Sequence, residues 1–280
     1  MRKGSIMTDI EIIEALKNIA DEISEEEYPE IYDILEANVD FDDGILYCSE
    51  EYLTDLLHEA DGAKCLPKCV ADFLMKSYSE RLENGDADAA CNIGSLYYTG
   101  RCGEQSFKKA LEYYTVAANG GCRQAQENLG YCYYYGRDTE VDYEKAFHFF
   151  ALGAFDGHLR SLYKIGDMYK NGYYVEKNEK EAYRIYKRCE ETMTDSAAAY
   201  VGADIMMRLG DCCFSGLGTD VDYKSALEYY QKAERLFYER LEEGDYLIRG
   251  CYNHVISRQA ETRDKLKELL PSFDWTRNQK

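Results

Sequence analysis

Three groups of residues in this chain are of types that do chemistry, and their spacing decides what each can do. His58 stands upstream of Cys65-Leu-Pro-Lys-Cys69, soft ligands of the kind that hold zinc. The cysteine spacing is loose and no second close pair follows, so no metal set is expected. The stretch Asn38-Val39-Asp40-Phe41-Asp42-Asp43-Gly44-Ile45, with Glu50 six after the glycine, has the acidity of a calcium loop. Counting from Gly44 puts Val39 and Phe41 where carboxylates are required, so a solvated acidic turn is expected instead. The other histidines, His148, His158 and His254, have no neighbours that make a base, and there is no Gly-x-Ser-x-Gly elbow, phosphate loop or His-Glu-x-x-His. No catalytic residue, metal or cofactor is expected.

The third group is a set of rows. Asn92, Asn128, Lys164 and Arg208 stand two residues before Gly94, Gly130, Gly166 and Gly210, and Ser95, Tyr131, Asp167 and Asp211 stand one after. Tyr98, Tyr134, Lys170 and Phe214 come four after, followed by Thr99, Tyr135, Asn171 and Ser215. Amides, bases and aromatics in register suit an extended peptide, whose unpaired N–H and C=O groups an Asn can meet with a donor and an acceptor. Asp88 and Glu127 lie early, whereas Arg160, Lys164, Lys170 and Arg208 gather late. A carboxylate of the partner is therefore expected at the late end.

What positions these rows is a repeat. The four anchor glycines are 36, 36 and 44 residues apart, a period that marks stacked helix pairs. Each anchor sits where two helices approach too closely for a side chain, and Gly100, Gly136, Gly172 and Gly216, six residues on, suit the left-handed end of the first helix. Ser106, Asp142, Asn178 and Asp222 then N-cap the second helix. That helix carries Ala110, Ala146, Ala182 and Ala226 and, as its large core partners, Tyr113, Phe149, Ile185 and Tyr229. The longer third step places eight extra residues around Thr192–Val201, expected to lengthen the helices there. Cys132 and Cys212 occupy a slot also filled by Leu96 and Met168, which marks it as apolar core.

The pattern A-x-x-x-[LI]-G-x-x-Y-x-x-G, a loop, then K-A-x-x-Y resembles the Sel1-like repeat, a relative of the tetratricopeptide repeat, over about residues 86–235. Repeat three lacks the family's small first residue and has Asn178 for the usual Asp, and repeat four has Cys213 for Tyr. The resemblance implies an all-α, right-handed α/α superhelical solenoid of helix-turn-helix repeats, with an N-terminal helical extension here. It also implies that the first helices line a concave groove in which Asn92 and Asn128 clamp a peptide backbone. Exported relatives staple each helix pair with a disulfide; no repeating cysteine pair is present, so the 11 cysteines are expected as reduced thiols.

Three segments follow. Residues 1–66 are an N-terminal helical cap or docking segment, with helices starting near Thr8, Ser24 or Pro29, and Ser49. Residues 67–244 are the solenoid, with a degenerate helix at 67–85 and four repeats over about 86–244. Residues 245–280 are a capping helix ending at Pro271 and a tail that carries Trp275.

The net charge of -20 repels phosphates, so neither nucleic acid nor an anionic membrane is an expected partner. No stretch has the apolar block of a secretion signal or a membrane span, which points to a cytoplasmic protein. The expected function is a non-catalytic scaffold or adaptor that holds a peptide or protein surface. The alternative is an acidic inhibitor or immunity protein that neutralises a basic toxin or enzyme, and a β-lactamase-like hydrolase ranks third.

Overall fold

The computed structural model describes residues 7–60, 65–242, 245 and 248–269. Pro271 and Trp275 lie outside the described residues. The chain divides into two compact units, residues 1–149 and 150–280.

Unit one begins with α1 (Asp9–Glu22), α2 (Pro29–Asn38), a short antiparallel pair β1 (Val39–Asp40) and β2 (Ile45–Leu46), and α3 (Glu50–Glu59). The expected starts hold: Thr8 and Glu11 form a capping box, Pro29 opens α2, and the Ser49 hydroxyl accepts from the Tyr52 N–H. The acidic stretch is a hairpin in which Asp40 Oδ1 accepts the N–H groups of Asp42 and Asp43 at 3.1 and 3.0 Å. Its side chain makes the turn.

Next come α4 (Lys68–Glu83), α5 (Ala87–Thr99), α6 (Phe107–Asn119) and α7 (Arg123–Tyr135), with α8 (Tyr143–Phe155) running across the unit boundary. Unit two continues with α9 (Leu159–Asn171), α10 (Glu179–Thr192), α11 (Asp195–Ala197), a π-helical turn at Ala198–Gly202, α12 (Ala203–Ser215), α13 (Tyr223–Glu242) and α14 (Arg249–Leu269).

The repeat chemistry is as the spacing predicts. The first helices end on left-handed Gly100, Gly136, Gly172 and Gly216. Ser106, Asp142, Asn178 and Asp222 each accept a backbone N–H at the start of the next helix.

The core aromatic differs from the expectation by one position. Tyr114, Phe150, Tyr186 and Tyr230 are buried, while Tyr113, Phe149 and Tyr229 stay half-buried. The reason is the anchor glycine. A Cβ on Gly94, Gly166 or Gly210 would stand 2.7, 2.6 or 2.6 Å from the ring of Tyr114, Tyr186 or Tyr230, so each ring packs directly against the glycine. The displaced ring does other work: Tyr113 stacks on Tyr97 at 5.9 Å and Phe149 on Tyr133 at 5.9 Å, with Lys109 and Lys145 over Tyr97 and Tyr133 at 4.7 and 4.9 Å.

The register also reaches one helix further back than expected. His58 falls 36 residues before Gly94, and Tyr78 falls 36 before Tyr114. Tyr78 is fully buried, its hydroxyl 3.2 Å from His58 Nδ1 and 3.2 Å from the Thr54 carbonyl, with the two rings edge to face. Thus α3 and α4 form a repeat in which the glycine is a histidine. Burial, then the charge of Arg101, whose guanidinium donates to the His58 and Ala60 carbonyls, push His58 down to about 4.

The long step lengthens the first helix of repeat four much more than the helix before it. α10 has 14 residues, close to the 13 of α6, whereas α11, the π turn and α12 run on as one helical stretch. α13 lengthens with it, to 20 residues. A Cβ on Gly202 would stand 3.0 Å from Leu236, so the added turns pack on the added length of α13. At the junction of α8 and α9, Gly153 and Ser161 replace the Ala117 and Ala125 pair of the preceding junction, one residue smaller and the other larger. Volume is conserved, but Ser161 Oγ is buried without a hydrogen-bond partner.

Candidate functional site

The +1 row is used inside the fold. Ser95 hydrogen-bonds Tyr114, Asp167 Oδ1 accepts from the Tyr186 hydroxyl at 2.7 Å, and Asp211 Oδ1 accepts from Tyr230 at 2.7 Å. The core tyrosine lies on the anchor glycine and its hydroxyl reaches the next residue. Repeat two has Phe150, without a hydroxyl, and its +1 residue is Tyr131 instead of Ser or Asp.

In unit two the late basic row is matched internally. The Arg208 guanidinium grips Asp167 in a fork, Nε to Oδ1 and Nη2 to Oδ2 both at 2.7 Å, and lies 4.3 Å above the Tyr163 ring. Lys164, 5% exposed, places Nζ 3.7 Å from Asp167 Oδ2. Burial raises the Asp167 carboxyl, but Arg208, Lys164 and the Tyr186 hydroxyl outweigh it and hold it at about 2. The chain continues through Asp204, 3.5 Å from Arg208, to Arg240 and then Asp245, at 3.3 and 2.6 Å. The carboxylate expected from a partner at Lys164 and Arg208 is thus supplied by Asp167. Lys170 is half-buried.

Asp211 repeats the arrangement with α14. His254 Nε2 lies 3.1 Å and Arg258 Nε 3.8 Å from its Oδ1, and Arg258 also covers the Phe214 ring at 4.6 Å. Burial again raises this carboxyl, and the hydrogen bonds from His254 and Tyr230 bring it below the usual range. α14 therefore supplies the bases that a further first helix would supply.

In unit one the row keeps neutral and aromatic groups. Asn92 Nδ2 is 3.5 Å from Asp55 Oδ1; Asn128 Nδ2 is 3.7 Å from Cys91 Sγ, and its Oδ1 accepts from Gln124 at 3.3 Å. Both amides are half-buried; Asn92 also hydrogen-bonds the Tyr78 side chain, and the Asp55, Cys91 and Gln124 contacts are long. Tyr131 stacks on Tyr135 at 6.2 Å, Tyr134 meets Tyr135 edge-on at 4.9 Å, and Tyr98 meets Phe107 at 5.2 Å, with Arg137 over Phe107 at 4.8 Å. Tyr135 is 48% exposed.

Sequence reasoning missed Asp204, Arg240 and Asp245. The four-residue step from Asp204 to Arg208 on one helix signals that pair. Nothing in the sequence marks Arg240, which reaches Asp204 only because α12 and α13 lengthen together.

Stacked helix pairs with a glycine-seated aromatic make this an α-solenoid. The Sel1 repeat model matches residues 87–122, 123–158, 159–188 and 203–236, and the chain belongs to the Sel1-repeat proteins. Among solved structures it is similar to a Sel1 repeat protein from Oxalobacter formigenes, at 21% identity and a TM-score of 0.53, over 68% of this chain and 76% of that one. It is also similar to c5321, a protective antigen of uropathogenic Escherichia coli strains with the same repeat fold, at 18% identity and a TM-score of 0.53, over 90% of this chain. The chain spans 56% of that antigen's length. Comparison with curated proteins returned no match. Among the described residues no helix is long and apolar enough to cross a membrane.

Proposed function

We propose that the chain is a non-catalytic protein-interaction scaffold that holds an extended segment of a partner on the first-helix row of unit one. Asn92 and Asn128 would bind the segment's backbone, and Tyr98, Tyr131, Tyr134 and Tyr135 its side chains. The observation that carries this reading is the contrast between the rows. In unit two Lys164, Asp167, Arg208 and Asp211 are engaged in internal ion pairs, whereas in unit one the matching positions carry the neutral amides Asn92 and Asn128, and Tyr135 is 48% exposed.

The partner's charge follows. With Lys164, Arg208 and Arg240 balanced by Asp167, Asp204 and Asp245 and a net charge of -20 on the chain, a segment carrying Lys or Arg is favoured over an acidic one. Peptides selected by display on the intact chain test this. Asn128→Ala and Tyr135→Ala should each weaken the selected peptides about tenfold or more, roughly 1.4 kcal/mol, while Glu268→Ala leaves them unchanged. Association should slow as salt rises. Enrichment of acidic peptides, or equal affinity for all three variants, would sink the proposal.

A further inference from the structure

Two thiols meet where the repeat pattern has no cysteines. Cys91 stands on α5 three residues before Gly94, and Cys122 is the N-cap residue of α7. They are 4% and 6% exposed, share one apolar cluster, and each thiol shifts the other's proton affinity. The equivalent pairs at the other junctions are Asp55 and Asp86, Glu127 and His158, and Tyr163 and Gly202. The fold therefore does not require sulfur at this place. Because α5 and α7 are first helices of successive repeats, a bond here would cross a repeat junction and would not staple one helix pair.

We propose that Cys91 and Cys122 are a dithiol site that a low-molecular-weight disulfide oxidises to an intramolecular disulfide. Cys122 is the attacking group: it follows the exposed turn residues Gly120 and Gly121, and the neighbouring Cys91 thiol lowers its proton affinity while that of Cys91 is raised. The Cys122 thiolate attacks one sulfur of the small disulfide and expels a small thiolate, leaving a mixed disulfide. Cys91 then loses its proton, attacks Cys122 Sγ and expels the second small thiolate. Two protein thiols are oxidised, the small disulfide takes up two electrons, and the two protons end on the two small thiols. The Sγ of Cys91 is also the contact of the Asn128 amide, 3.7 Å away, so the bond alters one member of the proposed binding row. That consequence rests on the groove reading; bond formation does not.

The test is incubation of the folded full-length chain with oxidised glutathione, alkylation of remaining thiols, and peptide mass spectrometry. A linked peptide pair containing Cys91 and Cys122 is expected. Cys91→Ser should instead trap Cys122 as a stable glutathione adduct, and Cys132→Ser should leave the linkage intact, because Cys132 is buried and its thiol is pushed up to about 11. If exposed Cys65 takes up glutathione while Cys91 and Cys122 are both recovered as free thiols, the proposal is overturned. The same holds if the linkage forms only after denaturant is added.

Discussion

Replacing Asp167 by Asn tests whether the unit-two row is a structural device. The substitution keeps the shape and removes the charge on which Arg208 and Lys164 converge, with side chains 12% and 7% exposed. A carboxyl held at about 2 against an ordinary 3.8 corresponds to about 2 kcal/mol of stabilisation at neutral pH. Leaving two buried cations without their carboxylate raises the expected loss to about 3–5 kcal/mol. Arg208→Met should cost a similar amount, and the double variant should recover part of it, because no unpaired fork remains while Lys164 still lacks the Asp167 carboxylate. Urea unfolding followed by far-UV circular dichroism measures each value, and a coupling of about 2 kcal/mol or more is expected from the cycle. The pH dependence gives a second reading. The folded pKa is depressed, so the contribution is present above 3.8 and is lost as pH falls from there through about 2, where Asp167→Asn and the parent should converge. Single-variant losses below about 1 kcal/mol, the range of an exposed ion pair, would refute the reasoning.

His58 makes unit one acid-sensitive. Its folded pKa, about 4, lies below the ordinary 6.5, so the unfolded chain takes up a proton first and stability falls as pH drops from 6.5 to about 4, by up to about 3 kcal/mol. His58→Gln should flatten that slope in urea midpoints; an unchanged slope would show that another group causes it. At the anchors, Gly210→Ala should destabilise by about 1–3 kcal/mol despite its better helix propensity, because its Cβ would meet the Tyr230 ring at 2.6 Å. Gly250→Ala, with nothing within 4 Å, should gain up to about 1 kcal/mol, and equal melting temperatures for the two variants would count against the packing account.

Local and periodic features can be read from the chain alone. A capping oxygen acts within three residues, and a left-handed glycine acts on its own helix end, so Thr8, Ser49, Ser106, Asp142, Asn178, Asp222 and the glycines from Gly100 to Gly216 were legible as letters. The period of 36 placed the rows in register, since identical spacing forces identical faces. Tertiary structure decided which neighbour each row meets. Whether the ring at Tyr113 or at Tyr114 turns inward depends on how the helix is rotated against Gly94, and one residue along a helix turns a side chain by about 100 degrees. Whether Arg208 is open to a partner or closed on Asp167 depends on a contact across 41 residues, which no local pattern encodes. The basic cluster was therefore visible in the sequence, and its neutralisation was visible only in the packing.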